Sequence, residues 1–433
     1  MDLSVVMLIL VFVACLLLAV PIAVSIGIAT VVAMLFTIPP GPALTTVAQR
    51  MATGIDSFAL LAIPFFILSG QLIAKGGIAR RLIDFAQVLV GRLPGGLAAI
   101  NILASMFFGT ISGSAVAATS AVGGFMIPAM EREGYERNYN VAVTMTGSVT
   151  GLLIPPSNVL IIYSLAGGGL SIAALFLAGY LPGIMVGLGL MVVAGVIAAR
   201  QGYPRAERTG FSRGILTFLR AIPGLLLVVI VMGGIIAGIF TATEASAVAV
   251  VYSFLLAMVF YREVGLRDLP PILLKSAETT AIVMLLIATS TALAWILSYA
   301  NIPQNLTAFL LSVTDNRILI LLSINLVLLV VGTFMDITPA VLIFTPIFLP
   351  VAVELGISPI HFGIMMVLNL CIGLCTPPVG SILFVGCGVG KTTVPAVTRA
   401  LVPFYAVMVL VLVLVIYLPQ LSEALPRSLG YTF

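Results

Sequence analysis

The sequence predicts an all-α polytopic membrane protein, with about ten transmembrane helices and two re-entrant hairpins arranged as an inverted repeat. Composition is the first observation: hydrophobic residues fill 61% of the 433 positions and charged residues 8%, whereas about 25% of a soluble domain is charged. Long uncharged stretches are the second, because about 20 apolar residues suffice to cross about 30 Å of hydrocarbon as a helix. The third is a glycine and proline pattern that occurs once in each half. Together they argue against a water-soluble fold.

Apolar runs and basic residues predict the membrane topology. The predicted spans lie near 3–20, 22–37, 55–74, 138–165, 170–199, 217–240, 245–261, 277–298, 360–388 and 401–420. An alternative for the first two is one long helix bent at Pro21. Cytoplasmic loops carry an excess of lysine and arginine, and placing the arginine-rich segment 200–220 inside leaves only Arg50, Arg317 and Arg427 of the 19 basic residues outside. Both ends of the chain are then expected outside.

Glycines and prolines recur at a fixed distance. Pro128, Gly134, Gly151, Pro155 and Pro156 are matched by Pro350, Gly356, Gly373, Pro377 and Pro378, each 222 residues later. Upstream, Gly109-Thr110 is matched by Gly332-Thr333 after one added residue. Because five spans precede segment 200–220 and five follow it, the two halves enter the membrane from opposite sides. We therefore predict a first inverted repeat at 1–199, a cytoplasmic linker at 200–216 and a second repeat at 217–433.

Each half carries a proline pair inside an otherwise apolar span. Pro155-Pro156 and Pro377-Pro378 each remove two backbone donors and disfavour the preceding helical turn. An unsatisfied carbonyl in hydrocarbon costs several kcal/mol, so such a break persists only against protein, a watery cavity or a bound cation. A simple kinked helix is the alternative. Two related breaks at one repeat position favour an ion site.

Two long apolar stretches are too long for one span each: 93–130 is uncharged, and 318–353 contains Asp336 as its only charged residue. They predict hairpins at about 95–129 and about 318–351. The centres read Gly109-Thr-Ile-Ser-Gly-Ser114 and Gly332-Thr-Phe-Met-Asp-Ile-Thr338. Two ordinary spans joined by a tight turn are the alternative for each hairpin.

Asp336 is the key acidic residue, because under the hairpin interpretation it lies near the bilayer midplane, where a charge is costly and usually functional. Hydroxyl and carbonyl oxygens suit sodium, whereas a transition metal prefers imidazole or thiolate. The residues predicted to bind sodium, the only metal expected, are Ser112, Gly113, Ser114, Gly151, Pro155, Gly332, Asp336, Thr338, Gly373, Thr376 and Pro377. Those predicted to bind a substrate are Ser157, Asn158 and Gly380. Asp56, Glu244 and Glu278 are interpreted as helix-start or interfacial residues.

Other function classes find little support. Gly386-Cys-Gly-Val-Gly-Lys391 resembles a phosphate-binding loop, but Val385 occupies the position of its first glycine, so no nucleotide is expected. Most cations lie in short loops between spans, which argues against nucleic-acid binding. The only histidine, His361, has no obvious companion nucleophile, so an enzyme is not expected. The four cysteines lie in apolar segments and lack the companions of a zinc site. A channel is the remaining competitor, because re-entrant loops also build selectivity filters.

Four motifs resemble those of a known family. Ile111-Ser-Gly-Ser-Ala-Val-Ala117, Leu153-Ile-Pro-Pro-Ser157, Asp336-Ile-Thr-Pro339 and Thr376-Pro-Pro-Val-Gly380 are similar to the large membrane subunit of TRAP (tripartite ATP-independent periplasmic) transporters. The resemblance implies an elevator-type, ion-transporter-like fold in which a mobile domain carries a small organic acid, of the dicarboxylate, sialic acid or sugar-acid class, with sodium ions. It also implies a small four-helix membrane subunit and a soluble periplasmic substrate-binding protein as partners, in the lipid bilayer of the bacterial inner membrane.

Overall fold

The computed structural model describes residues 3–204, 211–314 and 316–433, and every regular element in these ranges is a helix. The α-helices are α1 (Leu3–Leu17), α2 (Ile22–Leu35), α3 (Pro40–Gly54), α4 (Ala62–Lys75), α5 (Ile78–Val90), α6 (Gly96–Ser112), α7 (Ala115–Arg132), α8 (Arg137–Thr150), α9 (Asn158–Ala166), α10 (Ile172–Gln201), α11 (Phe211–Ile236), α12 (Ala242–Leu255), α13 (Leu269–Tyr299), α14 (Ile302–Val313), α15 (Arg317–Phe334), α16 (Ile337–Glu354), α17 (Pro359–Leu374), α18 (Ser381–Gly390), α19 (Val394–Tyr417) and α20 (Gln420–Ser428). The predicted all-α class is confirmed. Part of the predicted linker, with Arg205 and Arg208, lies outside the described residues.

Within the described ranges, eight helices are long and apolar enough to cross a membrane. They are Phe58–Lys75, Ile172–Gln201, Thr217–Ile236, Ala242–Phe260, Leu266–Tyr299, Arg317–Phe334, Ile337–Glu354 and Val394–Tyr417. The first two predicted spans are separate helices, α1 and α2, which pack against each other. Ala19 between them has a φ of 56°, so the chain turns there and the single bent helix is wrong.

The helices form a peripheral group and a central group. In the periphery, α13 packs against α2, α3 and α4, and α12 packs against α4. The centre contains the two hairpins, α6–α7 and α15–α16, and the helices that pack on them. A short helix precedes each hairpin, α5 in the first half and α14 in the second.

Both predicted helix breaks are present. In the first half α8 ends at Thr150 and α9 begins at Asn158, and in the second half α17 ends at Leu374 and α18 begins at Ser381. Each break contains a cis bond between its two prolines. The simple kinked helix is therefore wrong at both positions.

The two broken helices cross each other in opposite directions. Cys371 Sγ lies 3.5 Å from the Val149 carbonyl oxygen, and Cys375 Sγ lies 3.9 Å from that of Met145. The two broken helices are therefore antiparallel where they touch, as an inverted repeat requires. Cys371 and Val149 are 222 residues apart, so equivalent positions of the two halves touch, as residues on a two-fold axis do.

Candidate ion and substrate site

The first hairpin runs beside the first broken helix and stops at the break. Near its base, Asn101 Nδ2 donates to Thr144 Oγ1 at 2.7 Å. Near its tip, Gly109 packs against Gly151. Helix α7 then returns along α8. The tip of the hairpin thus lies at the middle of the broken helix, as predicted for a re-entrant segment.

Two glycine pairs bring each hairpin and its break into backbone contact. A Cβ on Gly151 would lie 2.7 Å from Gly109 Cα, and a Cβ on Gly373 would lie 2.6 Å from Gly332 Cα. Any side chain at these positions would meet main-chain atoms, which cannot rotate away. Four glycines of the repeat, Gly109, Gly151, Gly332 and Gly373, therefore allow the close approach, whereas a Cβ on Gly134 or Gly356 would meet nothing within 4 Å.

The first tip is a tight turn at Ser112-Gly113-Ser114. Gly113 has a φ of +63°, and a Cβ there would lie 2.6 Å from Asn158 Nδ2. Ser114 caps α7, because its Oγ accepts a hydrogen bond from the Ala117 amide at 3.2 Å. Hydroxyl, amide and carbonyl groups are thereby held together at the hairpin tip and the start of α9.

The second tip repeats this arrangement with a carboxylate. Asp336 is the N-cap residue of α16, and its Oδ1 accepts a hydrogen bond from Ser381 Oγ at 3.2 Å. The Gly380 amide donates to the Thr333 carbonyl at 2.8 Å. At the base of this hairpin, Asn369 Nδ2 donates to the main-chain oxygen and Oδ1 of Asn325 at 2.7 and 2.8 Å.

The two tips line one cavity of about 390 Å³. Its hairpin side carries Ser112, Gly113, Ser114, Asn158, Asp336 and Thr338, which are six of the predicted site residues. Its opposite side carries Gln71 of α4 with Lys275 and Thr279 of α13. Asp336 and Lys275 are the acidic and the basic residue among the described lining residues, and both are exposed. The cavity lining therefore holds one charged residue of each sign, and Lys275 Nζ also lies 3.3 Å from Glu278 Oε2 on its own helix.

Comparison with known proteins identifies the family. Residues 9–421 match the family described as "Tripartite ATP-independent periplasmic transporter, DctM component". The chain belongs to the DctM family. The "Uncharacterized protein YgiK" of Salmonella typhimurium is 54% identical over 94% of this chain and 93% of its own length. DctM proteins are transporter permeases and not enzymes.

Two relatives carry different substrate names at nearly equal identity. The "C4-dicarboxylate TRAP transporter large permease protein DctM" of Rhodobacter capsulatus is 39% identical over 95% of this chain and 96% of its own. The "2,3-diketo-L-gulonate TRAP transporter large permease protein YiaN" of Escherichia coli is 40% identical over 86% of this chain and 88% of its own. Overall identity therefore does not select between these substrates.

The fold also resembles a solved transporter. The crystal structure of the Alcanivorax borkumensis YdaH transporter, described as having an unusual topology, matches with a TM-score of 0.65. The match covers 90% of this chain and 89% of that one at 13% identity. At this identity the likeness concerns the fold alone.

The other predicted site residues of this DctM protein lie behind the tips. Ser157 is buried and its hydroxyl donates to the Leu152 carbonyl. Thr376 Oγ1 donates to the Ile372 carbonyl at 2.7 Å. Pro155 and Pro377 form the cis bonds of the two breaks. In the second break, the Tyr405 hydroxyl donates to the Cys375 carbonyl, so protein groups satisfy part of the freed backbone.

The sequence reasoning missed the wall opposite the tips. Gln71, Lys275 and Thr279 are polar residues on otherwise apolar helices, and Lys275 and Thr279 are four residues apart on one helical face. That spacing is the signal available in the sequence. The distribution of basic residues predicts only that Lys275 is cytoplasmic, because nothing local indicates which part of the distant hairpins it faces.

The remaining polar candidates have structural positions. Glu244 and Thr241 form the capping box of α12, so the interpretation of Glu244 as a helix-start residue is confirmed. His361 does have a hydroxyl neighbour, because Nδ1 lies 2.7 Å from Ser422 Oγ, but this buried pair joins α17 to α20. No group of three or more His, Cys, Asp and Glu side chains fit for a metal occurs among the described residues.

Proposed function

We propose that this chain is the large permease subunit of a sodium-driven, binding-protein-dependent transporter that imports a small organic acid. The observation that carries the proposal is the cavity of about 390 Å³ between the two hairpin tips, lined by Asp336 and by the hydroxyl groups of Ser112, Ser114 and Thr338. Oxygen ligands and one carboxylate suit a hard monovalent cation. The relatives named for C4-dicarboxylate and 2,3-diketo-L-gulonate support an organic acid as substrate.

Helix ends around the cavity support both ligands. At each tip, two helices end and two helices begin. Near Gly113, α6 and α8 end and α7 and α9 begin. Near Asp336, α15 and α17 end and α16 and α18 begin. C-terminal carbonyl ends carry partial negative charge and favour a cation, whereas N-terminal amide ends favour an anion. A sodium ion behind each tip and a carboxylate in front of it would use both kinds of end.

An elevator mechanism accounts for the two walls of the cavity. Each hairpin is joined to its own broken helix by glycine contacts and asparagine hydrogen bonds, whereas the facing wall belongs to α4 and α13. Lys275 belongs to the predicted cytoplasmic cations, so the cavity of this conformation is expected to open towards the cytoplasm. Movement of the hairpins past α4 and α13 would expose the same cavity on the other side.

The family description names a tripartite, periplasmic system, which supports two partners for this chain. We propose a small four-helix membrane subunit and a soluble periplasmic substrate-binding protein, with the complex in the bacterial inner membrane. The binding protein is expected to select the organic acid, since the relatives differ in substrate name at similar identity.

The test is uptake by reconstituted protein. The chain is inserted into liposomes with its small partner, and labelled organic acids are offered with and without a sodium gradient and binding protein. Asp336→Ala is expected to abolish sodium-coupled uptake while insertion is retained. Asp56→Ala, which removes an exposed carboxylate outside the cavity, is the matched control. Uptake by Asp336→Ala that still follows the sodium gradient would overturn the proposed role of this residue.

A further inference from the structure

A second cavity, of about 860 Å³, lies apart from the hairpin tips where several spans end. Span Phe58–Lys75 ends at it, span Thr217–Ile236 begins beside it, and it lies just beyond the end of span Ala242–Phe260. The side chains that matter here are Lys75, Arg80, Arg81, Arg220, Tyr261 and Glu263. The cavity shares no lining residue with the candidate ion and substrate site.

One arginine of this cavity is held in place. Arg81 Nη2 lies 2.7 Å from Glu263 Oε1, and its guanidinium lies 3.7 Å from the centre of the Tyr261 ring. Arg81 Nη1 also donates to the Gly77 carbonyl at 2.9 Å. Glu263 is thereby engaged by Arg81, and the planar guanidinium is fixed at the wall.

Three other cations have no such partner. Lys75, Arg80 and Arg220 are exposed, and no ion pair to a carboxylate is formed by any of them within the part of the chain that the structure describes. Asp84 is the other acid in the lining. Four basic side chains from α4, α5 and α11, together with two acidic side chains, therefore surround a concave space within the size range of small-ligand sites. Basic residues that only fix the orientation of the chain in the membrane do not need to line one shared cavity.

The position of the cavity indicates the source of an anion. Exposed apolar side chains lie beside it: Phe125 of the lining is 56% exposed and Phe260, next to Tyr261, is 75% exposed. Span ends place the cavity at the headgroup layer, and the cation count places it in the cytoplasmic leaflet. Basic pockets between membrane helices on that side bind anionic headgroups, and Arg forms paired hydrogen bonds with phosphate oxygens.

We infer that this cavity binds the phosphate headgroup of an anionic phospholipid, with the acyl chains along the apolar surface beside Phe125. The inference rests on the membrane location of the DctM family and not on sodium coupling. Because Ala121 and Phe125 belong to α7 and the cations to α4, α5 and α11, the lipid contacts both the first hairpin and the peripheral helices.

Native mass spectrometry of the full chain, released from neutral detergent, tests the inference. Phosphatidylglycerol is titrated against zwitterionic phosphatidylcholine, and inorganic phosphate is added at constant ionic strength as the soluble source of the same chemistry. Each cation removed is expected to lower phosphatidylglycerol affinity about fivefold, which corresponds to about 1 kcal/mol. The double variant Arg80→Gln/Arg220→Gln is therefore expected to bind about 25-fold more weakly.

The matched control is Arg132→Gln/Arg399→Gln, which removes two exposed cations that do not line the cavity. Its phosphatidylglycerol affinity is expected to equal that of the unchanged protein. An equal loss in both double variants, equal binding of phosphatidylcholine, or full displacement of the lipid by inorganic phosphate would each overturn the inference. The single variants Arg80→Gln and Arg220→Gln, each about fivefold weaker, give the same test if the double variant does not fold.

Discussion

Replacement of Gly373 by alanine tests the contact between the second hairpin and the second break. A Cβ at this position would lie 2.6 Å from Gly332 Cα, whereas ordinary contacts begin at 3.4 Å. The hairpin must therefore retreat by about 0.8 Å, the difference between these distances. Overpacking of a tight core costs about 1–3 kcal/mol. We expect Gly373→Ala to lower the free energy of unfolding by this amount relative to its control.

Gly388→Ala is the matched control, because Gly388 lies in α18 of the same broken helix and a Cβ there meets nothing within 4 Å. Both variants gain the preference of alanine for helix, about 0.5–1 kcal/mol, so their difference isolates the steric effect. Unfolding is measured in detergent, and sodium affinity by the sodium dependence of the melting temperature. We expect weaker sodium binding in Gly373→Ala only. Equal stability and equal sodium affinity in the two variants would refute the proposed coupling between this contact and the ion site.

Three further predictions concern the same region. Sodium at 100 times its dissociation constant is expected to raise the free energy of unfolding by about 2.7 kcal/mol, whereas potassium is expected to have little effect. Thermal unfolding measures both. Equal stabilisation by the two ions would contradict a sodium-selective site. Asn369→Ala removes the Asn369 hydrogen bonds to the main-chain oxygen and Oδ1 of Asn325. The main-chain oxygen lies within α15 and keeps its helical donor, whereas Oδ1 loses its partner, so the free energy of unfolding should fall by about 1–3 kcal/mol. An unchanged melting curve would show that this anchor is dispensable. Lys275→Gln removes the cation that lines the cavity and is expected to weaken organic-acid binding by up to about fivefold. Equilibrium binding measures this affinity, with Arg92→Gln as the control. An equal change in the two variants would indicate a general charge effect.

The sequence was most informative where the backbone itself is constrained. The spacing of Gly151, Gly373 and the two proline pairs predicted both helix breaks, because only a few residue types permit close backbone approach or interrupt a helix in hydrocarbon. The same residues identified the repeat, and the contact between Val149 and Cys371 agrees with its spacing of 222 residues. The assignment of sodium ligands stays a prediction.

Other parts could not be derived from local pattern. Helices α3, α5, α14 and α20 were not among the predicted spans, because each is short. In addition, α5 and α20 are amphipathic, with one polar and one apolar face. Lys275 could not be placed opposite Asp336, because the two residues lie on helices that meet only in the folded chain. Long-range packing of this kind leaves no periodic signal in a single sequence.

If sodium binds behind the tips as proposed, the ties between each hairpin and its broken helix would restrict how the ion can leave. A seam closed by main chain against main chain at Gly109–Gly151 and Gly332–Gly373 does not part without disrupting both elements. We expect such an ion to leave at the tips, where Ser112 and Asp336 line the shared cavity. An organic acid bound in that cavity would then block the path of the ion, and sodium would be released only after the acid has dissociated.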